Sequence, residues 1–257
     1  MRVKENWIAF YTLLHREVKR IIRIWTQTLL PPVITISLYF IIFGTLIGPR
    51  IGDMNGVGYM EYIVPGLVMM AIINNSYLNV VSSFFSNKFQ RNIEEMLVAP
   101  MPNSLILAGY VSGGIARGLI VGILVIFVSL FFTKIEMYHW GATLLIAVFT
   151  AVGFSLAGFI NGIFAKTFDD ISIIPVFVLT PLTYLGGVFY SIELLPKFWQ
   201  AVMHINPIFY MVNGFRYGML GKSDVAIEYA LLMLGGSVLI LYFLSLHLLN
   251  KGVGVRS

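Results

Sequence analysis

Asn75, Asn79, Ser82 and Ser86 follow one another at i, i+4, i+7 and i+11, a spacing that gathers their amides and hydroxyls on one face of a helix. In an apolar segment such a stripe can line a path for a solute, or it can hydrogen-bond a neighbouring helix. The second group with chemical potential is Arg117, the one cation well inside an apolar run. Charge at that depth is costly and points to function, while the long side chain can also snorkel to the interface or meet a carboxylate there. Other chemistry is missing. No G-x-x-x-x-G-K-[ST] loop is present to cradle phosphates. His15, His139, His204 and His247 lie far apart, no H-E-x-x-H occurs and there are no cysteines, so metal and thiol chemistry are not expected. The apolar runs hold no His, Asp or Glu in their interiors. That pattern disfavours an intramembrane hydrolase, which needs a nucleophile with a partnered base, and an ion-coupled carrier, which needs buried acids.

The elements that carry these residues are set by composition. The chain has 58% hydrophobic and 11% charged residues, and one membrane span takes roughly 20 apolar residues. The expectation is an all-α integral membrane fold, with residues 1–257 forming a single transmembrane domain. Six spans are predicted at 26–47, 62–85, 108–132, 140–165, 171–190 and 228–249. Before them, residues 5–24 place Trp7, Phe10, Leu14, Val18, Ile21 and Ile22 near helical spacing with Arg16, Lys19, Arg20 and Arg23 interleaved, the pattern of an amphipathic helix lying in the membrane interface with its bases toward anionic headgroups. The first strongly apolar run has no small-residue cleavage pattern after it, so no cleaved signal peptide is expected. Segment 191–227 is too apolar for a free loop, and predicts two short helices, broken around Asn206 and Pro207, that dip back into the outer leaflet. Gly109, Gly113, Gly114, Gly118 and Gly122 give the third span a small-residue face for close helix packing. Their partner is left open between this chain and a second copy. No internal repeat is visible, which weakens a repeat-built carrier.

Lys and Arg are enriched in cytoplasmic loops. With the N-terminus inside, the inner segments hold Arg2, Lys4, Arg16, Lys19, Arg20, Arg23, Lys88, Arg91, Lys166, Lys251 and Arg256, against Arg50, Lys134, Lys197, Arg216 and Lys222 outside. Both termini are therefore expected in the cytoplasm. The net charge of +5 is spread along the chain and reads as topology, so no nucleic-acid partner is expected.

Two stretches carry a family resemblance: NIEEMLVAPMP, from Asn92 to Pro102, and LTPLTYLGGVFYSIELLPKFWQAVMHINPIFYMVNGFRYG, from Leu179 to Gly218. With the order of the segments, they make the whole chain resemble the permease subunits of type-2 ABC exporters, in particular the YadH-like branch. The resemblance implies a bacterial inner-membrane permease that pairs with a second copy of itself, sits among membrane lipids and binds two separate ABC ATPase subunits. ATP and Mg would be bound by those partners, with no cofactor in this chain. It also implies a coupling helix on Arg91, Asn92, Ile93, Glu94, Glu95, Met96 and Leu97, a second ATPase contact in the inner loop with Asp169 and Asp170, and outer re-entrant helices over Leu194 to Tyr217. The cavity wall would fall on the second and fifth spans, with Asn75, Asn79, Ser82, Thr180 and Thr183 as candidate path residues, and Gly114, Gly118 and Gly122 as packing residues. An ATP-independent channel or scaffold is the competing reading, and an intramembrane enzyme comes last. The resemblance leaves drugs, lipids, polysaccharides and lipid-linked glycans, all handled by relatives, open as cargo.

Overall fold

A computed structural model describes residues 3–254; Arg2 and Arg256, counted above as inner charges, lie outside the described residues. The chain opens with α1 (Val3–Arg23). Leu13, Glu17 and Ile21 form its buried edge, while Trp7, Ile8 and Tyr11 are exposed. Helix α2 (Trp25–Ile51) bends near its start for a reason written in the sequence. Pro31 and Pro32 carry no N–H for the carbonyls four residues back, those of Gln27 and Thr28, and the regular helix is interrupted at Leu29. A two-residue hairpin pairs Asp53 with Gly58 and Met54 with Val57. Its corner residues Asn55 and Gly56 both take positive φ, 52° and 72°, as a turn matched to strand twist requires.

Helix α3 (Tyr59–Phe89) is about 46 Å long at 1.5 Å per residue. It is the central post. In its most apolar stretch 83% of residues are buried, against 17% in α2 and 11% in the last helix, so those two present most of their surface outward. Three elements follow: α4 (Asn92–Val98), α5 (Asn103–Ser129) and α6 (Trp140–Phe164).

The fifth expected span differs from the expectation. Helix α7 covers only Asp170–Tyr184, about 22 Å, which is shorter than the roughly 30 Å hydrocarbon core. Pro175 and Pro181 interrupt its bonding, with a wide turn of helix over Pro175–Leu179, and Gly187 at φ 75° turns the chain away. Among the described residues, five helices are long and apolar enough to cross a membrane: α2, α3, α5, α6 and the last.

The stretch after α7 breaks at Asn206 into α8 (Lys197–Ile205) and α9 (Pro207–Leu220). The Asn206 side chain accepts from Ile208 N at 3.0 Å, and Pro207 takes the first helical position, the usual chemistry of a helix start. Helix α10 (Ile227–Lys251) completes the fold.

The glycine face of α5 finds its partners inside this chain. Gly118 rests on Ser76 and Gly122 on Ile72 of α3, Gly114 sits between Val80 and Ser155, and Gly109 and Gly113 receive Leu13 and Glu17 of α1. A Cβ at Gly122 would stand 2.8 Å from Ile72, too close to fit without displacement. Gly118→Leu is expected to cost about 3 kcal/mol, the upper end of the overpacking range. Gly235→Leu, at a position with open space around it, is expected to be neutral or slightly stabilising. Thermal unfolding of the two variants in detergent checks this, and equal midpoints would show that α5 does not need the close approach.

Candidate coupling face and translocation wall

One end of the bundle gathers α1, α4, the loop between α6 and α7, and the end of α10. Helix α3 ends as Arg91 adopts the left-handed conformation, φ 62°, and that elbow throws α4 sideways. Ile93, 1% exposed, anchors α4 in an apolar cluster with Phe84, Ile106, Tyr110 and Phe159, and Met96 and Leu97 rest partly buried on the same cluster. Arg91, Glu94, Glu95 and Val98 face outward, while Asn92 is half-buried. The result is a short helix with an apolar underside and an acidic outer face, closed off by Pro100 and Pro102.

The loop between α6 and α7 folds beside this elbow. Phe168 packs its ring 5.0 Å from that of Phe85 and 5.2 Å from that of Phe89. The Lys88 ammonium donates to the carbonyls of Gly162, Ile163 and Ala165 at 3.4, 2.5 and 2.7 Å, neutralising the carbonyl end of α6. Asp170 accepts from Lys166 N at 2.8 Å and Thr167 N at 2.9 Å, and these backbone bonds hold its carboxyl below the usual carboxylate range. Asp169 is exposed. Two stretches far apart in sequence thus border one cleft of about 380 Å³, with Lys88, Arg91, Glu94 and Lys166 among its walls.

The residues of the expected path are not gathered in one place. Asn75 is buried and its amide donates to Ala71 O at 2.9 Å. Asn79, fully buried, accepts from Arg20 Nη2 at 2.8 Å. Ser82 is half-buried and donates to Leu78 O at 2.7 Å. On α7, Thr183 is buried with its hydroxyl on Leu179 O, and Thr180 is exposed with its hydroxyl on Pro175 O. Arg117 does not snorkel to the end of the bundle, and among the described residues it meets no carboxylate. It is 9% exposed and donates from Nη2 to Thr28 O at 3.4 Å, one of the carbonyls that the proline pair leaves open.

Two ionic features escaped the sequence reading. Glu17 is 1% exposed; its carboxylate accepts from Arg16 at 3.3 Å, Arg20 at 3.1 Å and the Ser83 hydroxyl at 2.8 Å. Arg20 also reaches Asn79, so part of the basic face of α1 turns inward and not to headgroups. The signal was there: Leu13, Glu17 and Ile21 lie four apart, a carboxylate on an otherwise apolar edge. Arg216, counted above as an outer loop charge, is 1% exposed. Its guanidinium stacks 3.9 Å over the Tyr62 ring and donates to Gly187 O at 2.6 Å and to Asn213 Oδ1 at 3.3 Å, which fastens α9 to α3.

At the opposite end the hairpin is held by Lys222, which donates to Asn55 O at 2.6 Å and Gly56 O at 3.0 Å, and by the Asn55 amide on Asp224 at 3.0 Å.

Residues 8–220 match the family model described as ABC-2 type transporter. The chain is 59% identical over 251 residues, 98% of each chain, to the inner membrane transport permease YadH of Escherichia coli strain K12. It is 22% identical over 256 residues, 96% of this chain and 93% of the relative, to nodulation protein J of Sinorhizobium fredii. With the five apolar helices long enough to cross a bilayer, the match over most of the chain places this protein, as a membrane component, in the ABC-2 type transporter family.

Proposed function

We propose that the chain is the permease subunit of an ABC exporter in a bacterial inner membrane, working as a pair of copies driven by two separate ATPase subunits that bind ATP and Mg. The observation that carries the reading is the surface formed by α4 and the loop ending at Asp170. Glu94 and Glu95 project from a helix whose underside is anchored by Ile93, and Asp169 lies exposed on the adjoining loop. Such a face presents fixed negative charge on a rigid base, suited to docking in a basic cleft. Closure of the ATPases on ATP would push α4 and alternate access to a cavity between the two copies, provided that the two states differ in their contacts.

In this reading both termini are cytoplasmic, in keeping with the Lys and Arg bias, and α7 together with residues 185–190 makes the sixth crossing. Helices α8 and α9 dip into the outer leaflet. The cavity wall is built from α3 and α7, with Asn75, Ser82 and Thr180 as its polar positions, while Asn79 and Thr183, buried and bonded within the bundle, stand behind it. The test is co-expression with a soluble ATPase encoded beside this chain. Recovery of a complex with equal numbers of permease and ATPase subunits, and ATP hydrolysis faster in the complex than in the free ATPase, is the expected result. Passive flux through the chain alone in liposomes, with no ATPase bound, would instead identify a channel.

A further inference from the structure

A cavity of about 300 Å³ opens between the bend of α2 and the middle of α3. Pro32, Ile36 and Leu78 make its apolar sides, and the amides of Asn74 and Asn75 lie in the wall with Arg117. The guanidinium is nine-tenths buried and has five donors. One of them reaches Thr28 O at 3.4 Å; Nε is buried with no acceptor among the described residues. Among the described residues no carboxylate pairs with Arg117, since Glu17 is held by Arg16 and Arg20. Asn74 and Asn75 each use one amide hydrogen on the preceding turn, which leaves the second hydrogen of each for another acceptor.

Arg117 is thus a planar cation with open donors at the edge of an apolar cavity, with two further amides beside it, an arrangement suited to an anionic head group. We propose that this cavity binds the head of an amphipathic anion, with a carboxylate or phosphate on Arg117 and the apolar chain against Ile36 and Leu78. The fork of the guanidinium suits either head group. An amphipathic anion fits this arrangement because its chain can stay in hydrocarbon while pairing with Arg117 offsets the cost of burying its charge. The Thr28 contact holds Arg117 at the bend of α2. It repairs one carbonyl left by Pro32, and it fixes the guanidinium at the bend without neutralising it. The inference rests on the transport reading for treating the occupant as cargo, but its test needs no ATPase.

The full chain, purified in a neutral detergent, is titrated with oleate, dioleoyl phosphatidic acid and oleyl alcohol, and binding is followed by native mass spectrometry. At least one anion is expected to bind tenfold or more tighter than the alcohol, and which anion does so distinguishes a carboxylate head from a lipid phosphate. Arg117→Gln is expected to reduce that preference to less than twofold while leaving alcohol binding unchanged, and Arg117→Lys to retain most of it. Equal binding of all three ligands by the unmodified protein, or a preference that survives Arg117→Gln, overturns the site. If Arg117→Gln does not fold, Leu78→Trp, at the exposed edge of α3, decides: filling the cavity should weaken both anions at least fivefold, and unchanged binding overturns the site. Loss of anion binding in a chain that still assembles with its ATPase removes this site alone, whereas failure to assemble removes the transport reading and leaves the anion preference measurable.

Discussion

Glu94→Lys combined with Glu95→Lys is expected to abolish stimulation of the partner ATPase while leaving the permease folded. Both carboxylates are exposed and neither is bonded to another side chain among the described residues, so their reversal breaks no such contact. Its internal cost is confined to α4, where acids in the first turn favour the helix dipole by about 0.3–1 kcal/mol each. Ile93 continues to hold the helix to its cluster. At an interface the same change turns attraction into repulsion. A net loss of about 3 kcal/mol across two close charge pairs, within the range measured for such pairs, weakens assembly by about a hundredfold. The measurements are thermal unfolding of the permease alone, expected to stay near that of the unmodified chain, and ATP hydrolysis in the assembled complex, expected to fall to the rate of the free ATPase. Full stimulation by the double variant would remove α4 from the docking surface.

The second large effect is expected at Glu17. Its carboxylate is buried against α3 and α5 and gathers Arg16, Arg20 and Ser83. Removing one partner of a buried ion pair typically costs about 3–5 kcal/mol. Arg16 and Arg20 keep 39% and 23% of their side chains exposed and can turn toward water, so the lower end, about 3 kcal/mol, applies to Glu17→Leu. Glu17→Gln keeps the volume and an acceptor for Ser83, and should lose less. The effect is local in origin, because this carboxylate ties α1 to Ser83 of α3. The chain has no native cysteine, so a single Leu13→Cys reports on α1 cleanly: Leu13 is 7% exposed and packs on Gly109. Maleimide labelling at that site should be slow in the parent and fast with Glu17→Leu. Slow labelling in both would mean that apolar contacts alone retain α1.

Much of the architecture was legible as hydrophobic period. The five long helices fall where apolar runs do, and the Asn206–Pro207 break was visible because an amide followed by proline starts helices. The extent of α7 was not legible. The apolar run continues through Tyr190, and only the backbone distinguishes a helix ending at Tyr184 from a full-length span. The fate of individual charges was hidden for a related reason. Counting Arg216 as a loop charge assumes that every arginine is solvated, and its burial depends on Tyr62, 154 positions earlier in the chain. Glu17 and the proline pair at Pro31 and Pro32 left clear local signs: a carboxylate in an apolar row, and two carbonyls without donors. What answers them, Ser83 in one case and Arg117 in the other, is set by packing alone. The candidate docking helix was readable through resemblance, but its exposed face was not, since Ile93 and Glu94 are told apart only by the cluster beneath them.

Lys88 bears on how a push at α4 would be felt. Its ammonium belongs to the last turn of α3, yet it is tied to three carbonyls at the end of α6. One cation therefore yokes α3 and α6 at the point where α4 branches off. In the proposed coupling a displacement of α4 would load both helices together, like a lever with two arms on a single pin. Under the proposed coupling, motion at this end would tilt the pair together, and a helix that bent on its own would have to break the pin first.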